Sequence, residues 1–290
     1  MTKLRVRKYL KIAKPCVKGS ILVLFGIFNS RSGIGVEIFT INLIYGPLAY
    51  LFLAFSGIMV IKLLQIINNP SSESKISLKQ AVLLSITLYF IGLILILVNV
   101  VINLTIYYLN IPIILLTIGI GIFWFFLGFY GFKNKKSIVT LNILIVVLIF
   151  SIGLIYGAFL NTLLIPIYLY FFFLLVFFLQ LTREVTKGFI KGRKIEEFMN
   201  WEILYNQGKI LKYSLGFEFL AIIFLIFSLV SNISYSVSFL FLMICGIFVI
   251  SFAIIMTLES ILEKKVIFRI STIIKIDILI ILGAILILGS

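Results

Sequence analysis

The sequence is a succession of unbroken apolar runs, each near the length of a bilayer-spanning helix, divided by short polar stretches that are mostly basic. A hydrocarbon core about 30 Å thick takes about 20 helical residues to cross. Backbone polar groups inside that core find no water, so only helices and closed barrels can span it. A barrel strand alternates lipid-facing apolar and lumen-facing polar residues, and these runs do not alternate. The chain is 62% hydrophobic and 12% charged, against about 45–50% and about 25% for soluble domains. An all-α, multi-pass protein of the cell membrane follows, with membrane lipid as its surroundings. Residues 1–290 are expected to form a single transmembrane helical domain.

Taken in order, the apolar runs predict spans over roughly 19–29, 38–66, 81–102, 111–130, 138–158, 163–181, 214–231, 237–258 and 272–289. Residues 1–18 carry seven basic side chains and no acid, which fits an amphipathic lead-in at the membrane surface. Gly46-Pro47 marks a kink in the second span, because proline removes a helical donor. Ser77 is an expected N-cap, with Gln80 three residues on. Lys and Arg collect at the N-terminus and after the second, fourth, sixth and eighth runs, whereas the opposite loops hold only Arg31. The positive-inside rule then predicts nine helices, the N-terminus cytoplasmic and the C-terminus outside. Cytoplasmic cap loops are expected at 68–80 and 182–213.

The residue inventory excludes several chemistries. The chain has no His, and Cys16 and Cys245 stand in no motif. Zinc sites of the Cys/His type, haem ligation by His and a disulfide framework are therefore ruled out. Ten residues are acidic, and only Asp277 is an aspartate. The net charge of +15 is the ordinary result of basic cytoplasmic loops and indicates no nucleic-acid partner.

The longest polar interruption is 181–213, LTREVTKGFIKGRKIEEFMNWEILYNQGKILKY. If the sixth helix continues past the membrane, Arg183, Lys187 and Lys191 share one face at i, i+4 and i+8. Such a row either holds a phosphate or diphosphate or lies against anionic headgroups. Lys62, near the inner end of the second span, either snorkels or faces a cavity. Asn142 is an interhelical hydrogen-bonding residue or a cavity lining. Glu218, Glu259 and Asp277 are expected to pair with nearby Lys or Arg. Phe171–Phe173 suit lipid-facing packing, or a cavity for a long isoprenoid tail.

Several ordered segments carry a family resemblance. Residues 9–15, YLKIAKP, match an opening helix that ends in a basic residue and proline. Residues 75–81, KISLKQA, match a segment leading into a third helix. Tyr130, Lys133 and Asn142 fall where a Tyr, a Lys and a Gly-Asn pair flank a fifth helix, and Gly157 at a later glycine. Residues 183–187, REVTK, match an Arg-Glu-x-x-Lys, and 272–289 a last helix. In these segments the chain resembles the UbiA-type intramembrane prenyltransferases, above all the archaeal digeranylgeranylglyceryl phosphate synthase branch. The resemblance implies transfer of a prenyl group from an isoprenyl diphosphate to a polar or lipid acceptor. It implies that Lys75, Tyr130, Lys133, Asn142, Arg183 and Lys187 bind the anionic group, and that magnesium is the cofactor.

The acidic motifs of that family are missing. Its first motif, Asn-Asp-x-x-Asp-x-x-x-Asp, aligns with GIMVIKLLQ at 57–65, which places Ile58, Ile61 and Gln65 at the aspartate positions. After REVTK comes GFIKGRKI, with Gly188 and Lys191 where acids are expected. Apolar side chains cannot ligate a hard cation, so the metal ligands are absent; Glu196, Glu197 and Glu202 are the only nearby replacements. Lys62 and Lys191 instead add positive charge where the family has negative. Ordinary magnesium-dependent transfer is therefore expected to be lost or much weakened. A non-catalytic protein that binds a phosphorylated isoprenoid, another lipid or a protein partner is the alternative. A transporter is less favoured, because the halves show no internal symmetry.

Overall fold

The computed structural model describes residues 2–30, 36–68, 78–104, 138–161, 165–192, 207–231, 236–263 and 267–289. These residues are helical apart from short turns: α1 (Thr2–Asn29), α2 (Val36–Asn68), α3 (Leu78–Leu104), α4 (Ile138–Phe159), α5 (Ile167–Gly192), α6 (Gln207–Val230), α7 (Val237–Glu263) and α8 (Ile267–Gly289). Among the described residues six stretches are long and apolar enough to cross a membrane: Phe39–Val60, Lys79–Asn99, Ile167–Thr186, Leu211–Val230, Val237–Ile261 and Arg269–Ile287. The apolar part of α4, Ile143–Phe159, is shorter. The expected fourth span and, within the cap loops, residues 69–77 and 193–206 lie outside the described residues. The lead-in and the first span are one helix, α1, which runs through Pro15. The chain divides into two compact units, Met1–Ile165 and Pro166–Ser290.

In the first unit α1 packs on α2 and α4, and α2 on α3. The α1–α4 contact is backbone against backbone. A Cβ at Gly157 would lie 2.8 Å from Val23 C and 2.9 Å from Val23 Cα, and closer still to Val23 O. A Cβ at Gly26 would lie 2.7 Å from Ala158 N, and again closer to Leu154 O. Small residues at such seams let membrane helices approach until van der Waals packing holds them, since lipid supplies no hydrophobic drive between helices. Around the seam, Cys16, Val23, Ile27, Tyr50, Ala54, Ile145, Ile149 and Tyr156 form one buried cluster, with the Tyr50 and Tyr156 rings 5.3 Å apart. Two polar devices tie the unit. Asn42 Nδ2 donates to Leu160 O and Asn161 Oδ1, both at 2.9 Å, and Asn161 Nδ2 donates to Ile27 O at 2.8 Å. These join the start of α2 to the ends of α1 and α4. Ser56 Oγ donates to Ser85 O at 2.7 Å, which joins α2 to α3.

In the second unit α5 packs on α6 and α8, and α7 packs on the same two helices, so the four close into a ring. Phe171 stacks on Phe227 at 5.4 Å, and Phe178 lies between Phe217 (6.1 Å) and Phe224 (5.6 Å). This ladder fixes α5 and α6 antiparallel and puts the end of α5 level with the start of α6. On α7, Phe239, Met243, Ile250, Ala253, Thr257 and Ser260 recur every three to seven positions, and all are buried. That spacing is one helical face. Phe172 departs from the lipid-facing expectation: it is fully buried and meets Phe239 edge to face at 6.4 Å.

Candidate functional site

The polar interruption begins as helix. α5 continues to Gly192, so Arg183, Lys187 and Lys191 do follow one another at i, i+4 and i+8 on a helix. The side chains of Lys187 and Lys191 lie outside the described residues. Arg183 is not a surface residue: it is 8% exposed, between the fully buried Thr182 and the equally buried Thr186 one turn on. Its Nη1 donates to Gln180 Oε1 at 3.1 Å and lies 3.5 Å from Glu184 Oε1. Gln180 Nε2 in turn donates to Glu184 Oε1 at 3.1 Å. Gln180, Arg183 and Glu184 thus form a closed set on one helix turn. Nη1 carries both described contacts, so the guanidinium keeps N–H donors for a bidentate anion. Gln180 was not singled out in the sequence and Glu184 only as the Glu of the Arg-Glu-x-x-Lys match, although Gln-x-x-Arg-Glu is the i, i+3, i+4 spacing that brings such groups together.

At the same level of this unit, α6 and α7 contribute more buried polar groups. Ser214, Glu218, Thr257 and Ser260 are each at most 1% exposed. Thr257 Oγ1 lies 3.0 Å from Glu218 Oε1. Pairing of Glu218 and Asp277 with Lys or Arg, expected from the sequence, is not what the structure shows. Glu218 meets Thr257, and the Asp277 oxygens have no hydrogen-bond partner among the described residues. Both acids are buried in this unit; Glu259 is exposed.

The other sequence candidates divide as follows. Lys62 lies in α2 and Asn142 in α4, with side chains outside the described residues. Lys75, Tyr130, Lys133, Glu196, Glu197 and Glu202 lie wholly outside them. Ile58 is 5% exposed and belongs to the same buried cluster as Cys16, Tyr50, Ile145 and Tyr156. A position so enclosed by hydrocarbon offers no oxygen to a magnesium ion and no room for its waters. The described part of the first motif therefore does not fit the metal. Ile61 and Gln65 have side chains outside the described residues.

No family model and no curated protein matches the chain. A solved structure concerned with digeranylgeranylglyceryl phosphate synthase in membranes is similar over the full length. Its TM-score is 0.71 with 21% sequence identity, covering 100% of this chain and 99% of the other. At that identity the likeness is one of fold: this chain has the fold of a digeranylgeranylglyceryl phosphate synthase.

Proposed function

We propose that this chain is a UbiA-type membrane protein that binds an isoprenoid carrying a phosphate or diphosphate, and that magnesium-dependent prenyl transfer to a polar or lipid acceptor is lost or much weakened in it. The observation that carries the reading is the buried Arg183, oriented by Gln180 and Glu184 and keeping free N–H donors. An arginine fixed by neighbours loses little entropy on gripping a planar anion. Lys187 and Lys191 follow on the same helix and would add charge around the headgroup; the resemblance also assigns anion binding to Lys75, Tyr130, Lys133 and Asn142. Lys62 and Lys191 would supply, as fixed cations, part of the neutralisation that a metal supplies elsewhere. Bound magnesium would polarise the leaving diphosphate, but Ile58 offers it no ligand. The same reading has the chain crossing the membrane nine times as one domain, N-terminus cytoplasmic, with caps at 68–80 and 182–213; the basic loops support it.

The test is binding and turnover of geranylgeranyl diphosphate by the purified chain, with magnesium and with EDTA. Binding that ignores EDTA, without turnover, is expected. Arg183→Ala and Lys187→Ala should each weaken it about tenfold or more, the worth of a hydrogen bond to a charged group at about 1.5–3 kcal/mol. Magnesium-dependent turnover would refute the loss of catalysis and direct attention to Glu196, Glu197 and Glu202. No binding under either condition would refute the ligand and leave the fold as a surface for a protein partner.

A further inference from the structure

The second unit holds a second polar centre that the prenyl-anion reading does not use. Buried hydroxyls on these helices follow one pattern. Those of Thr182, Thr186, Ser228, Thr257 and Ser260 each donate to a carbonyl three or four residues back. Ser214 breaks it. Its side chain is fully buried, yet Oγ has no hydrogen-bond partner among the described residues. One turn on, along the same face of α6, Glu218 is also fully buried and its Oε2 is likewise unpartnered. Two unsatisfied oxygens thus stand at i and i+4, which are neighbours on a helix surface.

Thr257, opposite on α7, sharpens the point. Its hydroxyl has one proton and two acceptors in reach, Ala253 O at 2.9 Å and Glu218 Oε1 at 3.0 Å. Donating to Ala253 O, as the other hydroxyls do to their own helices, leaves Thr257 lone pairs facing a carboxylate oxygen. Something positive has to lie against that pair. The ion pair among the described residues is Arg183–Glu184, both on α5, and does not reach Glu218. A buried carboxylate without compensation is costly, so Glu218 carries either a bound proton or a bound cation.

We propose that Glu218, Ser214 and Thr257 form a monovalent-cation site, for Na⁺, inside the second unit. The donors are hard oxygens, one anionic and the others neutral, which suits a hard cation of single charge. Asp277 provides the contrast. It is as deeply buried, but a Cβ placed at Gly246 would have Asp277 Oδ1 (3.5 Å), Leu225 Cδ1 (3.5 Å) and Ile281 Cγ1 (3.7 Å) as its nearest neighbours. No hydroxyl among the described residues lies within hydrogen-bond reach of that carboxyl, whereas Glu218 has Thr257. Intramembrane acids mark ion or proton sites, and the hydroxyls select which of the two acids binds the ion.

The experiment is equilibrium binding of ²²Na⁺ to the purified chain in nanodiscs with choline as the replacing cation, alongside the unfolding temperature in the same series. Saturable binding and a Na⁺-dependent rise in that temperature are expected. Glu218→Gln should abolish both, Ser214→Ala should weaken binding by about tenfold, and Asp277→Asn should keep it. Should Glu218→Gln fail to fold, Ser214→Ala and Thr257→Val decide the matter. Absence of saturable binding overturns the site and assigns a proton to Glu218. Binding unchanged in Ser214→Ala and Thr257→Val overturns it as well. None of these readouts depends on a prenyl ligand.

Discussion

Replacing Gly157 by alanine tests the account of the first unit most directly. The added Cβ would meet Val23 O, with Val23 C at 2.8 Å and Val23 Cα at 2.9 Å. These are backbone atoms of a packed helix, so no rotamer change relieves the clash, and α1 and α4 must separate by roughly 0.5–1 Å. A gap of that size forfeits about a quarter to a half of each dispersion contact of about 0.1–0.2 kcal/mol. With about 40 such atom pairs along the seam the loss is about 1–4 kcal/mol, which covers the range of about 1–3 kcal/mol for overpacking. Cys16 supplies the assay. It is fully buried in the cluster beside this seam, so maleimide labelling of Cys16 in a Cys245→Ser background reads opening of the first unit. Under conditions where labelling follows the open population, Gly157→Ala should label faster by roughly fivefold to a hundredfold, from about 1–3 kcal/mol. Gly26→Ala should do the same, and the double variant should cost less than the two singles combined, because the first substitution has already widened the gap. Gly216, where a Cβ would meet nothing within 4 Å, is the control: Gly216→Ala should be neutral or stabilising by up to about 1 kcal/mol. A Gly157→Ala protein labelled at the wild-type rate would refute the seam.

Other consequences are as specific. Asn161→Ala removes the donor to Ile27 O and the acceptor for Asn42; it should destabilise the first unit by about 1–3 kcal/mol, with an Asn42–Asn161 coupling of about 0.6–1.7 kcal/mol in a double-mutant cycle. Ile58→Asp should not restore magnesium-dependent transfer. It should destabilise by more than about 3 kcal/mol by burying a carboxylate in the Cys16–Tyr50–Ile145 cluster; a stable variant with metal-dependent turnover would show that the position faces a site. Native thiol labelling of the unaltered chain should modify Cys245, which is part-exposed, before Cys16; the reverse order would contradict the burial of α1.

Much of the fold was legible in the sequence because the bilayer restricts the choices so severely. Runs such as 81–102 and 237–258 have to be helices, and α3 and α7 cover them. The REVTK stretch was legible as a continuation of the sixth run, since Arg183, Lys187 and Lys191 keep helical spacing without proline or a turn signal, and α5 does extend to Gly192. What an apolar sequence cannot report is which side of each helix faces protein. Lipid and a packed neighbour both accept Phe or Ile, so Phe171, Phe172 and Phe173 are equivalent in sequence, and the ring of α5–α8 alone sends Phe172 to Phe239. For the same reason Ile58 could stand at a metal site or in a core by sequence, and its cluster decides for the core.

Composition thus determined a multi-pass helical protein, because hydrocarbon leaves the backbone no other way to satisfy its hydrogen bonds. It also determined that the chain holds no cluster of aspartates, because Asp277 is the only one. Tertiary structure decided where the remaining polar groups go. It buried Arg183, brought Thr257 to Glu218 across 39 residues of sequence, and left the Asp277 oxygens without a hydrogen-bond partner among the described residues. Those placements depend on helix–helix register, which close packing at particular small and aromatic residues sets and which no local pattern in the chain encodes.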